Sequence, residues 1–223
     1  MKYVIFSCFI FISASASSIA LADAITDVKQ LQKDWAQTNY KLTDTAQQTA
    51  FKTLVEQATS VVNRNPDTAE AFIWRGIIQS SYAGAKGGLG ALSLAKAAKA
   101  DFEQAMSLND KALNGSAYTS LGTLYFKVPG WPLGFGDDDK AETLLKKALT
   151  INPEGIDSNY FYGQFLYENR QYELAERYLL KAQQAPARPD RPLADEGRQK
   201  EIEATLQQLH NQLNTKKHAG IIN

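Results

Sequence analysis

The sequence predicts an all-α chain, a stack of antiparallel helical hairpins closed by a C-terminal helix. Three observations carry this. Apolar residues recur with helical period along almost the whole chain, and no stretch alternates as a half-buried strand would. Small residues fall on a grid: Gly163, Ala175 and Ala182 are spaced by twelve and then seven positions, and Ala141, Ala148 and Pro153 repeat part of it. Small side chains at such offsets let two helices approach closely, and the proline stops the second helix before the next hairpin begins. Third, residues suited to helix capping stand where the grid needs helices to start.

The first 22 residues are a separate element. Met1 to Ala22 holds one cation at Lys2, an apolar run from Tyr3 to Ile12, a Ser/Ala stretch and an Ala20-Leu21-Ala22 ending, the pattern of a cleaved secretory signal. A membrane anchor is the competing reading, but Ser13, Ser15, Ser17 and Ser18 interrupt the run before it reaches the roughly twenty apolar residues a span needs. Cys8 is the only cysteine of the chain and lies inside that apolar run, so the mature protein is expected to carry no thiol and no disulfide. Its stability must then come from apolar burial between helices.

The mature chain is expected to form one helical-repeat domain over residues 23–223, with hairpins at about 24–66, 67–110, 114–153 and 157–186. The first helix is predicted from Ala24 to about Tyr40, with Val28, Leu31, Trp35 and Tyr40 near one face and Asp27 with Gln30 in capping spacing. The second runs from about Thr45 to Asn63, capped by Asp44 with Gln47 and ended by Asn65-Pro66. The second hairpin opens with Asp67 and Glu70 in capping-box spacing, carries Phe72 and Gly76, and closes with Ala98, Phe102 and Ala105. Relative to the grid it has about ten extra residues, assigned to an interruption around Ala83 to Gly90, where four glycines each cost a helix about 1 kcal/mol. The third hairpin carries Tyr118, Leu121, Gly122 and Tyr125, then Ala141, Leu145, Ala148 and Pro153. Its extra length, Val128 to Gly136, contains two prolines and three glycines and is predicted as a loop. The fourth, from Asn159 through Tyr162, Gly163 and Leu166 to Ala175, Leu179 and Ala182, has no insertion. Residues 185–192 are too proline-rich for helix and read as a connector. The capping helix, residues 193–214, presents Ile202, Leu206, Leu209 and Leu213 as one stripe and covers the last repeat.

Outward positions on the first helices of the hairpins are Ile73, Ile77, Thr119, Thr123, Phe126, Tyr160, Gln164 and Tyr167. The set is more apolar and aromatic than an idle solvated face and reads as a binding groove. Two readings stand: an open groove for a partner, or a groove roofed by the terminal helices. The two insertions are expected to meet on one edge as a shared lip, with Trp131 and Phe135 as apolar anchors beside Lys86.

Several functions are argued against. Without Lys2 the chain has 23 basic and 24 acidic side chains, which offers no general attraction to nucleic acid or an anionic membrane. Gly84 to Gly90 lacks the Gly-Lys-Ser/Thr of a phosphate loop and follows a helix rather than a strand. Asp137, Asp138 and Asp139 are adjacent rather than alternating, so they suit a helix start, with Asp139 and Glu142 as capping box, better than a calcium loop. Catalysis has no mature cysteine to use, and His210 and His218 stand together near the C-terminus, away from the loops, where they read as surface residues. No enzyme, metal or cofactor is expected.

The hairpin grid is that of tetratricopeptide repeats, and three segments narrow it further. Tyr125-Phe126-Lys127-Val128-Pro129-Gly130-Trp131-Pro132, then Phe135-Gly136-Asp137, then Lys146-Lys147-Ala148-Leu149 with Asn159-Tyr160-Phe161-Tyr162-Gly163 resemble the TatT-like family, the tetratricopeptide T component of TRAP transporters. The likeness covers about Asp67 to Pro192. It implies a right-handed superhelix in the periplasm of a Gram-negative bacterium that associates with a transporter's substrate-binding protein and handles an apolar or organic-acid ligand. The chain departs from some relatives in lacking a lipidation cysteine at the cleavage site. The expected role is a non-catalytic scaffold for a partner protein, with a small-ligand carrier or a cell-envelope assembly factor as alternatives. The candidate contact residues are Lys86, Phe126, Lys127, Trp131, Phe135, Tyr160, Gln164 and Tyr167.

Overall fold

A computed structural model describes residues 13–218 of the protein. Cys8 and the apolar part of the expected leader lie outside the described residues. Among the described residues there are nine helices and no strand: α1 (Ser13–Lys41), α2 (Asp44–Arg64), α3 (Ala69–Lys86), α4 (Gly88–Asn109), α5 (Ala112–Lys127), α6 (Asp138–Ile151), α7 (Ile156–Glu168), α8 (Tyr172–Gln183) and α9 (Pro192–His218). The all-α prediction holds. No described helix is long and apolar enough to cross a membrane.

Consecutive helices pack as pairs, α1 with α2, α3 with α4, α5 with α6 and α7 with α8. One contact recurs in three pairs. A Cβ built on Gly76 would stand 2.5 Å from Phe102 Cε1, one on Gly122 2.8 Å from Leu145 Cγ, and one on Gly163 2.9 Å from Leu179 Cγ. Each glycine thus removes the atom that would hold its helix away from a buried large side chain on the partner helix. Phe102, Leu145 and Leu179 are fully buried. Around them one apolar core joins α3 to α9, and a second, with Val28, Leu31, Trp35, Phe51 and Trp74, joins α1, α2 and α3.

The odd-numbered helices also touch in series, α1 with α3, α3 with α5 and α5 with α7. Helix α9 contacts both α1 and α7. The first and last members of the row are therefore linked through the C-terminal helix, and Gly197 is what allows it: a Cβ there would lie 2.4 Å from the Tyr40 ring.

Several local expectations are corrected. The glycine-rich segment around Lys86 is not a loop. Helix α3 runs on through Gly84 to Lys86 and α4 starts at Gly88, so the break is confined to Gly87 and Gly88, both at φ +62°. The extra residues lengthen both helices instead, and the added helix-to-helix packing of α3 on α4 outweighs the modest helix cost of glycine. No shared lip of two loops forms. The capping boxes also fail. Asp27 is inside α1 and pairs with Arg64 at 2.7 Å, because α1 begins at Ser13 and crosses Ala22 unbroken. Gln47 reaches back to the carbonyls of Thr38, Asn39 and Leu42 rather than to its own helix start. Helix α3 is preceded by Thr68, not Asp67, and α6 is capped by Asp137, whose carboxylate accepts the Lys140 N–H at 3.0 Å, not by Asp139.

The second insertion is a loop. Gly136 N–H donates to Pro129 O at 3.0 Å and Asp137 N–H to Tyr125 O at 2.9 Å. A Cβ on Gly136 would stand 2.0 Å from Val128 O, so only glycine permits this closure.

Candidate functional site

A cavity of about 600 Å³ lies on the inner side of the odd-numbered helices, lined from α1, α3, α5 and α7, from residues 186–191 and from α9. The groove is therefore partly covered, by residues 186–191 and α9 on one side, and stays open to solvent elsewhere. Its wall divides by chemistry. Trp35, Trp74, Ile77, Leu124 and Phe161 supply apolar surface; Ser80, Ser81, Ser116, Thr119, Ser120 and Thr123 supply hydroxyls, and Asp157, Arg188, Arg191 and Arg198 supply charge.

Sequence places these groups through two breaks in helix. Leu113, Asn114 and Gly115 adopt φ +47°, +55° and +74° in succession, which turns Leu113 and Asn114 into the wall. Gly115 fits because a Cβ there would meet Ile151 at 3.0 Å, while the non-glycine residues carry a backbone cost of order 1 kcal/mol or more each. The proline-rich stretch after α8 cannot continue as helix and crosses to α9 with Arg188 and Arg191 against the cavity.

An ion network fastens that crossing. Asp157 on α7 accepts Arg188 Nη1 at 2.6 Å and Arg198 Nε at 2.8 Å. Arg188 also donates its backbone N–H and Nε to the two oxygens of Asp195, each at 2.6 Å, and Arg198 pairs with Glu201. The Arg198 guanidinium lies 4.6 Å from the Tyr160 ring centre and 4.5 Å from that of Phe161. Burial alone would raise the Asp157 carboxyl, but the Arg198 and Arg188 guanidiniums outweigh it and hold the group well below the usual carboxylate range. Burial likewise works against the charge on Arg198, and Asp157 with Glu201 reverses that, leaving it raised. Burial pushes the Tyr40 phenol up, so it stays neutral.

Two donors on the same wall are left over. Trp35 and Trp74 meet edge to face at 5.7 Å between ring centres, yet only Trp35 is satisfied, donating Nε1–H to Ser81 Oγ at 2.8 Å. The Trp74 indole is 2% exposed, and its Nε1–H has no acceptor among the described residues; nor does the buried Nε–H of Arg191. The Arg191 guanidinium lies 5.0 Å from the Trp74 ring centre. Burial lowers its pKa first, and the nearby Arg188 cation adds to that.

None of the eight residues proposed from sequence lines the cavity. Lys86 ends α3 with its ammonium 5.5 Å from the Tyr82 ring centre. Phe126 packs edge to face on Phe165 at 5.7 Å, and Lys127 lies over Phe126 and pairs with Glu168. Phe135 rests on Tyr125 at 5.7 Å. Tyr160 is 3% exposed, packed behind the cavity wall, and accepts Gln164 Nε2 at 2.7 Å, which leaves Gln164 half-buried. Tyr167 packs on Tyr172 at 5.7 Å. Trp131 alone stands free, 90% exposed beside Leu133 at 74%. Of the wider groove set, Ile77, Thr119 and Thr123 do line the cavity.

Sequence reasoning missed Trp74, Asp157 and the three arginines. The available signal was three arginines within eleven positions around a proline-rich crossing, where charge is expected to be solvated but here is folded inward. Among the described residues no cluster of histidine, cysteine and carboxylate side chains could hold a metal ion. His210 pairs with Glu176 at 2.7 Å on the surface, and the His218 side chain lies outside the described residues.

Compared with known proteins, the chain matches no family model and shows no significant similarity to a curated protein.

Proposed function

We propose that this protein is a non-catalytic carrier, exported to the periplasm by its cleaved leader, that holds one small organic molecule inside a tetratricopeptide-like arrangement of hairpins. The observation that carries the reading is the partly covered cavity of about 600 Å³, within the roughly 300–1,000 Å³ of small-molecule sites. Its mixed wall of indoles, aliphatic groups and hydroxyls suits a largely apolar ligand oriented by a few polar contacts. The repeated glycine-on-large-residue contact between Gly76 and Phe102, Gly122 and Leu145, and Gly163 and Leu179 supports the tetratricopeptide-like reading, and the segments from Tyr125 to Gly163 support kinship with the TatT-like proteins.

Native mass spectrometry of protein purified from its own periplasm tests this. The expected spectrum contains the chain plus one small molecule, and Ser120→Trp, which places an indole in the cavity, removes the added mass while thermal unfolding stays cooperative. Repeated preparations without any adduct, or an adduct indifferent to Ser120→Trp, would contradict the carrier.

The scaffold role is a second reading, favoured by the loop carrying Trp131 and Leu133. Two large apolar side chains held in water on a closed loop are a ready anchor for a partner protein, and the resemblance supplies a TRAP-type substrate-binding protein as that partner. Trp131→Ala leaves the ligand mass in place and weakens capture of that partner.

A further inference from the structure

We infer that Arg191 is a gate of the cavity: its guanidinium closes over the Trp74 indole and swings out to water to let a cargo pass, while the segment that carries it stays fixed. The inference rests on the carrier reading above and adds how entry is controlled.

Residues 186–191 cover part of the cavity as a single layer of chain. All of them but Pro189 border the cavity, yet Pro186, Ala187, Pro189 and Asp190 are also exposed to solvent. Among the described residues no backbone hydrogen bond joins this layer to α1, α3, α5 or α7, so side chains hold it on those helices. Two reach them in different directions. Arg188 donates to Asp157 on α7 and to Asp195 at the start of α9, each at 2.6 Å. Arg191 lies over Trp74 on α3, 5.0 Å from the ring centre.

These two fastenings differ in kind. The arginine cluster is balanced as a whole, Arg188, Arg191 and Arg198 against Asp157, Asp195 and Glu201, but the ion pairs go to Arg188 and Arg198. Arg191 makes none among the described residues and is only partly buried. Closed over the indole, it gains a cation–π contact, while its sealed Nε–H gives up water without finding an acceptor. Gain and cost are of similar size. Swung outward, the guanidinium regains water beside the exposed carboxylate of Asp190. The two positions are then populated within about tenfold of each other, as a gate requires. Arg188, held by carboxylates on two helices, and the buried Ala194 at the start of α9 keep the segment in place during the swing.

Nuclear magnetic resonance of the full chain reads the swing without any ligand, through exchange of the Trp74 indole N–H with water. Arg191→Ala removes the closed position and speeds that exchange about two- to tenfold. Arg191→Met has no charge to hydrate and stays on the ring, so its exchange is no faster than in wild type. The Trp35 indole, bonded to Ser81, is unchanged in both. Because Arg191 makes no ion pair, both variants fold, and their unfolding midpoints verify that. Stopped-flow mixing with octanol, an uncharged probe, then reads the traffic. In Arg191→Ala association and dissociation accelerate by the same factor, and affinity stays within about twofold of wild type. Equal Trp74 exchange in wild type, Arg191→Ala and Arg191→Met would overturn the gate. So would an octanol affinity changed through dissociation alone, which marks Arg191 as a ligand contact. Octanol that binds none of the three proteins would contradict the carrier reading, while the exchange rates still decide the swing.

Discussion

Replacing Gly163 by leucine lowers the free energy of unfolding by about 3 kcal/mol, at the upper end for an overpacked core. The added Cβ would stand 2.9 Å from Leu179 Cγ and 3.3 Å from the Leu179 backbone nitrogen. The side chain alone could rotate aside, but the backbone of α8 cannot retreat without opening the α7–α8 pair. Against this, leucine improves helix propensity over glycine by about 1 kcal/mol, too little to compensate. Gly163→Ala sets the two effects nearly equal and stays within about 1 kcal/mol of wild type. Gly84 in α3 is the control. A Cβ there meets nothing within 4 Å, so Gly84→Ala stabilises by about 0.5–1 kcal/mol. Urea unfolding of the three variants checks the order, and a neutral Gly163→Leu would show that α7 and α8 are not in close contact.

Removing the carboxylate of Asp157 by alanine costs about 2 kcal/mol near neutral pH, between a surface and a fully buried ion pair, because its side chain is 31% exposed. Arg188 and Arg198 keep Asp195 and Glu201; the cost persists because the positive charges of Arg188, Arg191 and Arg198 then crowd one wall. The same group makes stability depend on pH. Its folded pKa lies below the unfolded value, so its contribution is complete above the ordinary carboxylate range and fades as the pH falls below about 4. Wild type therefore loses more stability than Asp157→Ala between about pH 7 and pH 3. Parallel acid profiles for the two proteins would remove Asp157 from the network.

Much of the fold was legible because its determinants are local or periodic. Gly163, Ala175 and Ala182 sit on a spacing that only paired helices use, and Val128 to Gly136 concentrates residues that helices reject. The glycine-rich stretch misled because each glycine costs little compared with long pairing partners, and α3 and α4 pack along their added turns. Capping spacings misled for a related reason: Asp27, Gln47 and Asp139 found tertiary or neighbouring partners, or lost the cap to Asp137. The site was far less legible. Tyr160 reads as a groove residue until Arg198 of α9 covers it, and that packing depends on Gly197 meeting Tyr40, a contact between opposite ends of the chain. Arg191 stands in a segment whose composition promises solvent, and only the fold turns it onto Trp74.

The most direct test of a ligand site in this cavity is the indole region of a nitrogen-15 NMR spectrum during titration with a small amphiphile such as octanoate. Trp35, Trp74 and Trp131 are the tryptophans of the chain, and they report on the cavity wall, its unmatched donor and the exposed loop respectively. A ligand held within the row of odd-numbered helices shifts the Trp74 signal most, moves Trp35 with it and leaves Trp131 in place. A titration that moves Trp131 while Trp74 stays fixed would contradict the account.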